Sequence, residues 1–417
     1  MQVGLKCALS DAHLDVTQLS SQRQISIAIE ALPNSTSRDI PLNLCLVLDQ
    51  SGSMEGRSLK TVKQAAERLI DRLSPGDRLS IVTFNHKAKV IFPNQIVDEP
   101  ILAKAALDRL EAAGGTSIDE GIRLGIEETA KGKKETVSQM FVLTDGENEH
   151  GDNDRAVKLA QVATGYGLSI NSLGFGNHWN QDILEKIADA GGGALSYIQE
   201  PEQAVKEFGR LFDRVQSVGL TNAFLRLALA PGTRLAELKP IAQVAPETIE
   251  LLVQQEGDLA IVRLGDLMID SPRVILANLY VGQLPEGKNT IAEVQIKYDN
   301  PAIGQSELIS ETFPIEIASQ AQYQPAIDSE VQQNILALAK YRQTQIAESR
   351  LKQGDRQGAV TMLQTAAKTA LQMGDRTAAT VLQNNATQLN SGEELSESDR
   401  KITRLVSKTT LQEADSE

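Results

Sequence analysis

Asp49, Ser51 and Ser53 stand two residues apart in Asp49-Gln50-Ser51-Gly52-Ser53, directly after the apolar run Leu44–Leu48. One carboxylate and two hydroxyls at alternate positions converge if the loop curls, and Gly52 permits the curl. Two later stretches offer the same kind of atom. Thr116 lies in Gly114-Gly115-Thr116-Ser117, and Asp145 ends the run Met140-Phe141-Val142-Leu143-Thr144. Two carboxylates and three hydroxyls form an all-oxygen donor set without His or Cys. That set suits Mg²⁺ or Mn²⁺ better than Zn²⁺, with Ca²⁺ also open. Some of these groups would bind through water, so the protein cannot fill six positions by itself. One position is left for a carboxylate from outside.

These residues need strand ends to hold them. Leu44–Leu48 and Met140–Thr144 read as strands buried on both faces, as in a parallel sheet, and open α/β sheets place ligands beyond the carboxyl ends of such strands. From Ile40 to about Gln216 strands and helices alternate. Leu59, Val62, Ala66, Leu69 and Leu73 recur at helical spacing, Leu79–Phe84 is a strand, and Ala88–Phe92 is its hairpin partner. Helices around 101–110, through Ile126, at 153–164, 180–190 and 202–215 alternate with the strands Leu168–Phe175 and Ala194–Ile198. The pattern predicts a doubly wound, mostly parallel α/β sheet over 40–216.

The flanks differ. Residues 1–39 hold the alternating Gln24–Glu30, with Ile25, Ile27 and Ile29 on one face, and then a polar linker, Pro33–Arg38. Residues 217–320 carry short strands separated by Pro-Gly and Glu-Gly turns, which predicts an antiparallel β-sandwich. The N-terminal strands are too few to stand alone and are expected to join it. The α/β domain would then be an insertion in the sandwich. Residues 321–417 are helical to a frayed end at Glu413–Glu417. Leu351-Lys-Gln-Gly-Asp-Arg356 recurs as Leu371-Gln-Met-Gly-Asp-Arg376, and each Gly-Asp can end one helix and cap the next.

The totals narrow the function. The net charge of −14 argues against nucleic acid or an anionic membrane as partner. No stretch approaches the roughly 20 apolar residues that span a bilayer, and the opening residues show no apolar leader. Cys7 and Cys45 make no disulfide framework, so a cytoplasmic protein is expected.

Asp49, Ser51, Ser53, Thr116 and Asp145 reproduce Asp-x-Ser-x-Ser, then Thr, then Asp, and residues 40–216 closely resemble the von Willebrand factor type A domain. Gly76–Asn85, Gly114–Ile118 and Leu143–Gly146 also resemble that family's second strand and its later metal loops. The resemblance implies a Rossmann-like fold and a metal-ion-dependent adhesion site in which the five residues hold the ion and an acidic residue of a protein partner completes its shell. Residues 217–320, with Leu264–Leu267 and Arg273–Leu276, are similar to the β region of bacterial proteins related to calcium-activated chloride channel regulators.

The expectation is a non-enzymatic adaptor. Alternatives are a recruitment subunit for a separate ATPase and a Mg²⁺-dependent phosphohydrolase using Asp49. The latter lacks a lysine in the three loops. His86, His150 and His178 lie in unrelated loops and read as surface histidines. Glu147–His150 read either as a solvated loop or as residues that shape partner choice. Trp179 reads as a lid on a helix start.

Overall fold

A computed structural model of the chain describes residues 1–33, 40–176, 178–269 and 271–408. Most of the expected linker Pro33–Arg38 and the expected frayed end at Glu413–Glu417 lie outside them. Three sheets and a helical domain make up the fold.

The α/β sheet has the strand order Ala88–Ile96, Arg78–Phe84, Leu42–Asp49, Val137–Thr144, Leu168–Phe175, Gly192–Ile198. All pairs are parallel except the hairpin of the first two strands. Alternate residues of one strand feed different cores, as a sheet covered on both faces requires. Leu44, Leu46 and Leu48 pack with the helices Arg57–Ile70, Pro100–Asp108 and Ala204–Gln216. Cys45 and Val47 pack with Ile118–Ala130, Asn153–Gly165 and Gln181–Ala190. The fold is therefore doubly wound, as its βα alternation predicts.

The β-sandwich flanks this domain in sequence. In one sheet Gln2–Leu9 pairs with Ser20–Leu32, which pairs with Arg273–Gly282. In the other, Val218–Leu229 lies between Leu259–Met268 and Gly287–Asn300, and His13–Asp15 joins through Phe313–Gln320. Ile25, Ile27 and Ile29 meet Leu225, Leu227, Val294 and Ile296 in the shared core. The expected insertion is thus the observed arrangement. The α/β domain stands on the sandwich through a buried polar joint: Gln139 Nε2 and Ser169 Oγ, from its sheet, each donate to Asp266 Oδ2 at 2.7 Å.

The helical domain comprises Ser329–Lys352, Arg356–Gln372, Arg376–Asn390 and Glu397–Lys408. Its repeated joint is built as the sequence suggests. Gly354 and Gly374 take positive φ (81° and 82°), and Asp355 and Asp375 accept from Gly358 N and Ala378 N at 2.9 Å each. Val331, Leu338 and Tyr341 on the first helix cover Val244 and Leu276 of the sandwich. The last helix reaches back to the α/β domain, a contact that no periodicity in the sequence announces.

Candidate metal centre

Asp49 ends its strand with a fully buried side chain. Oδ1 accepts from Ser51 N at 2.7 Å and Oδ2 from Thr144 Oγ1 at 2.5 Å. The chain then makes one tight turn, Gly52–Met54, that lifts alternate hydroxyls along one side. Ser51 Oγ and Ser53 Oγ are 2.9 Å apart, and Ser53 Oγ donates to Asp145 Oδ1 at 2.6 Å. Four of the five expected residues therefore form one hydrogen-bonded row, from a buried floor at Asp49 to the partly exposed Asp145.

Thr116 joins them from the side. Its Oγ1 lies 3.2 Å from where a Cβ on Gly146 would sit, and Ser53 Oγ lies 3.8 Å from the same point. The fold thus brings all five residues together.

Backbone bonds fix the three loops to one another. Gly52 N donates to Gly114 O and Ala113 N to Gln50 O, both at 2.8 Å. His150 N donates to Thr116 O at 2.9 Å. Asn148 is buried, and its Oδ1 accepts from Ile118 N at 2.7 Å, satisfying a first-turn N–H of the helix Ile118–Ala130. Asn148 therefore has a positioning role that the solvated-loop reading of Glu147–His150 lacks.

The electrostatics call for a cation. Burial pushes the Asp49 carboxyl up to about 6, and the neighbouring Asp145 charge adds to the rise. Burial also raises Asp145, while Ser53 and the nearby His178 pull it back. Neither carboxylate has a Lys or Arg within ion-pair distance among the described residues. Two crowded carboxylates ringed by three hydroxyl oxygens fit a hard divalent ion, whose charge would offset their burial.

His86, His150 and His178 are all exposed, as surface histidines should be. They are far apart in sequence, but His86 and His150 meet at the rim with ring centroids 6.5 Å apart. His86 packs on Gly114 and His150 on Gly115, close enough that a Cβ on either glycine would collide with an imidazole. The parallel sheet gathers loops from different strand ends at one edge, which explains the meeting. No cluster of three or more His, Cys, Asp or Glu suited to a metal is present among the described residues.

Two residues inside the loop-like stretch Leu143–Gly146 take roles that their residue types do not announce. Thr144 looks like an ordinary β-branched strand residue until its hydroxyl is seen on Asp49. Gly146 looks like a turn glycine until Thr116 is seen against it. Trp179 is nearly buried, with Nε1 donating to Gly176 O at 2.7 Å, and Lys401 Nζ covers its ring at 4.3 Å.

The family von Willebrand factor type A domain matches residues 43–210, and the family Sll0103-like, C-terminal alpha-helical domain matches 329–413. The chain is 59% identical to "Uncharacterized protein sll0103" of Synechocystis sp. over 99% of its own length and 98% of that protein. It is 28% identical to "Uncharacterized protein YfbK" of Escherichia coli over 41% of this chain and 31% of that one. It is also 28% identical to the inter-alpha-trypsin inhibitor heavy chain H4 of Bos taurus, over 46% of this chain and 22% of that protein. Among solved structures, a von Willebrand factor type A protein from Catenulispora acidiphila superposes with a TM-score of 0.82 at 17% identity, covering 98% of this chain and 97% of that one. The ArnB paralog VWA2 from Sulfolobus acidocaldarius superposes at 0.60 with 16% identity, covering 98% and 99%. These two structures share the fold of the whole chain.

Proposed function

We propose that this chain, which belongs to the Sll0103-like family of proteins with a von Willebrand factor type A domain, is a divalent-metal-dependent protein-binding module. Such domains are commonly protein-interaction modules. In our reading Asp49, Ser51, Ser53, Thr116 and Asp145 hold the ion, with Mg²⁺ the expected metal and Mn²⁺ or Ca²⁺ as substitutes. The site then acts as a metal-ion-dependent adhesion site. A bound ion supplies a desolvated positive charge, and an acidic side chain of a protein partner completes its shell.

The observation that carries this reading is the pair of carboxylates, one buried and one partly buried, beside three hydroxyls, with no Lys or Arg within ion-pair distance among the described residues. The chain's own residues do the rest. Thr144 and Ser51 N aim the two oxygens of Asp49, Ser53 steers Asp145, and Asn148 fixes the Thr116 loop against the Asp145 loop. The test is calorimetric titration of EDTA-stripped full-length protein with Mg²⁺ and Mn²⁺, alongside Asp145→Ala. A pull-down from native extract follows in Mg²⁺, in EDTA and with the variant. Partners lost in both EDTA and Asp145→Ala support the module; partners retained in all three sink it.

We treat the protein as non-enzymatic and cytoplasmic on the same footing. In support, no lysine stands in the three loops to assist a phosphoryl transfer, and the two cysteines are unpaired. Turnover of common phosphoesters, or recovery in an extracytoplasmic fraction, would overturn these two assignments. We also propose that the sandwich is akin to the β region of calcium-activated chloride channel regulator-like proteins, a reading supported by the strand pattern of 217–320.

A further inference from the structure

The helix Glu397–Lys408 runs alongside Gln181–Ala190, and the two step together. Lys401 covers Trp179, Arg404 pairs with Asp182 and Glu185, and Lys408 pairs with Glu185 at 2.8 Å and Asp189 at 3.0 Å. The cations of this row come from the helical domain and Asp182, Glu185 and Asp189 from the α/β domain, while Glu348 of the helical domain also holds Arg404. Its upper end lies beside the metal face, where Glu147, two residues beyond Asp145, faces Lys401. A cleft of about 260 Å³ opens there between the domains, walled by Glu147, Trp179, Leu395, Glu397, Arg400 and Lys401, with Glu397 also acting on Lys401.

The cleft is below the roughly 300–1,000 Å³ that cofactor and drug-sized ligands occupy, and it has room for one or two side chains. Its cations are not equivalent. Arg404 is held by Asp182, Glu185 and Glu348, Lys352 by Asp182 and Glu348, and Lys401 by the Trp179 ring. Arg400 is exposed and meets no carboxylate within ion-pair distance among the described residues. A guanidinium that shares a cleft with Glu147, two residues beyond Asp145, in a wall already fixed by ion pairs, is preorganised for a second carboxylate.

We infer that the cleft receives the segment of the protein partner next to its metal-binding carboxylate, and that this segment carries a second acidic side chain, which Arg400 binds. The ligand class is thus a di-acidic peptide segment, read jointly by the α/β domain and the C-terminal helical domain. This inference rests on the metal-dependent reading of the site.

The test uses full-length protein and a displayed library of random peptides with one fixed aspartate or glutamate, selected in Mg²⁺. Wild type is expected to enrich a second acid at one constant spacing from the first. Arg400→Glu is expected to bind those peptides about tenfold more weakly or worse, to select Lys or Arg at that spacing, and to keep its sensitivity to EDTA. Arg400 is exposed and has no ion-pair partner among the described residues, so the variant should fold. EDTA-sensitive peptides that show no second-acid preference and bind Arg400→Glu unchanged would overturn the inference while leaving the metal reading intact. Di-acidic peptides that depend on Arg400 but ignore EDTA and Asp145→Ala would support the cleft and overturn the metal reading. Failure of the wild type to enrich any acidic peptide would overturn both.

Discussion

Thr144 Oγ1 donates to Asp49 Oδ2 over 2.5 Å, linking the ends of two neighbouring parallel strands. The bond turns one carboxylate oxygen toward the sheet and holds the group at a fixed angle. Thr144→Val keeps the shape and removes the donor. Losses of this kind around metal ligands typically cost about 10–100-fold in affinity. Calorimetric titration with Mn²⁺ should show that loss in Thr144→Val, with a fold unchanged by circular dichroism. Full affinity in the valine variant would mean that Asp49 needs no such support.

Gly146→Ala should weaken metal binding by crowding. Its Cβ would sit 3.2 Å from Thr116 Oγ1, so the threonine would have to shift by a few tenths of an ångström. About a tenfold loss in Mn²⁺ affinity with little change in Tm is expected. An unaffected affinity would place the Thr116 hydroxyl outside the ion's shell.

The pH dependence of stability should carry the mark of Asp266. Burial raises its carboxyl above the usual range, against the pull of Ser169 and Gln139. Between about pH 4, where the unfolded carboxyl titrates, and its raised folded value, the native state holds a proton that the unfolded state has released. Stability from this group is therefore full at the acid end and lost as pH rises through the folded value. Asp266→Asn can still accept from both donors through its one amide oxygen. Urea midpoints in EDTA should fall less steeply with pH in Asp266→Asn than in the wild type; parallel curves would rule the group out.

Arg404→Ala should loosen the strap between the domains. Arg404 is mostly buried and serves Asp182, Glu185 and Glu348 together. Removing it strands carboxylates that are themselves part-buried, at a cost of about 2 kcal/mol once solvent screening is allowed for. Urea unfolding should show the loss, and amide exchange should speed up over 397–408 before it does in the α/β core. Unchanged exchange there would show that the apolar contacts suffice to hold the helix.

Much of this was legible in advance, and the limits have physical causes. The run Leu44–Leu48 is apolar at every position because the sheet is covered on both faces, so the abrupt change at Asp49 stands out. The helix around Leu59, Val62 and Ala66 has a clean apolar stripe. Short sandwich strands such as Thr233–Leu235 and Gln305–Ile309 carry too few residues to show a period. Ile241–Ala245 is buried throughout with Gln243 inside, so it alternates in neither chemistry nor exposure. Lys401, Arg404 and Lys408 look like the wet face of a polar helix. Only the packed structure shows Lys408 buried against Glu185 and Asp189. The meeting of His86 with His150 likewise depends on strand order, which local pattern does not encode.

The insertion of one domain within another also sets an order of assembly. In the sandwich, Ile27 pairs with Ile275, and the whole α/β domain is synthesised between them. The α/β domain closes through short βα steps, whereas that sandwich pairing must wait for a very long loop to shut, and non-local pairings form slowly. The strand Ser20–Leu32 is therefore made with its isoleucine face uncovered, because the strands that pack on Ile25, Ile27 and Ile29 come later. Until Arg273–Gly282 arrives, Gln2–Leu9 is its one strand neighbour nearby in sequence. The N-terminal hairpin thus keeps an apolar face uncovered during synthesis, and the α/β domain is expected to mature before the base it stands on.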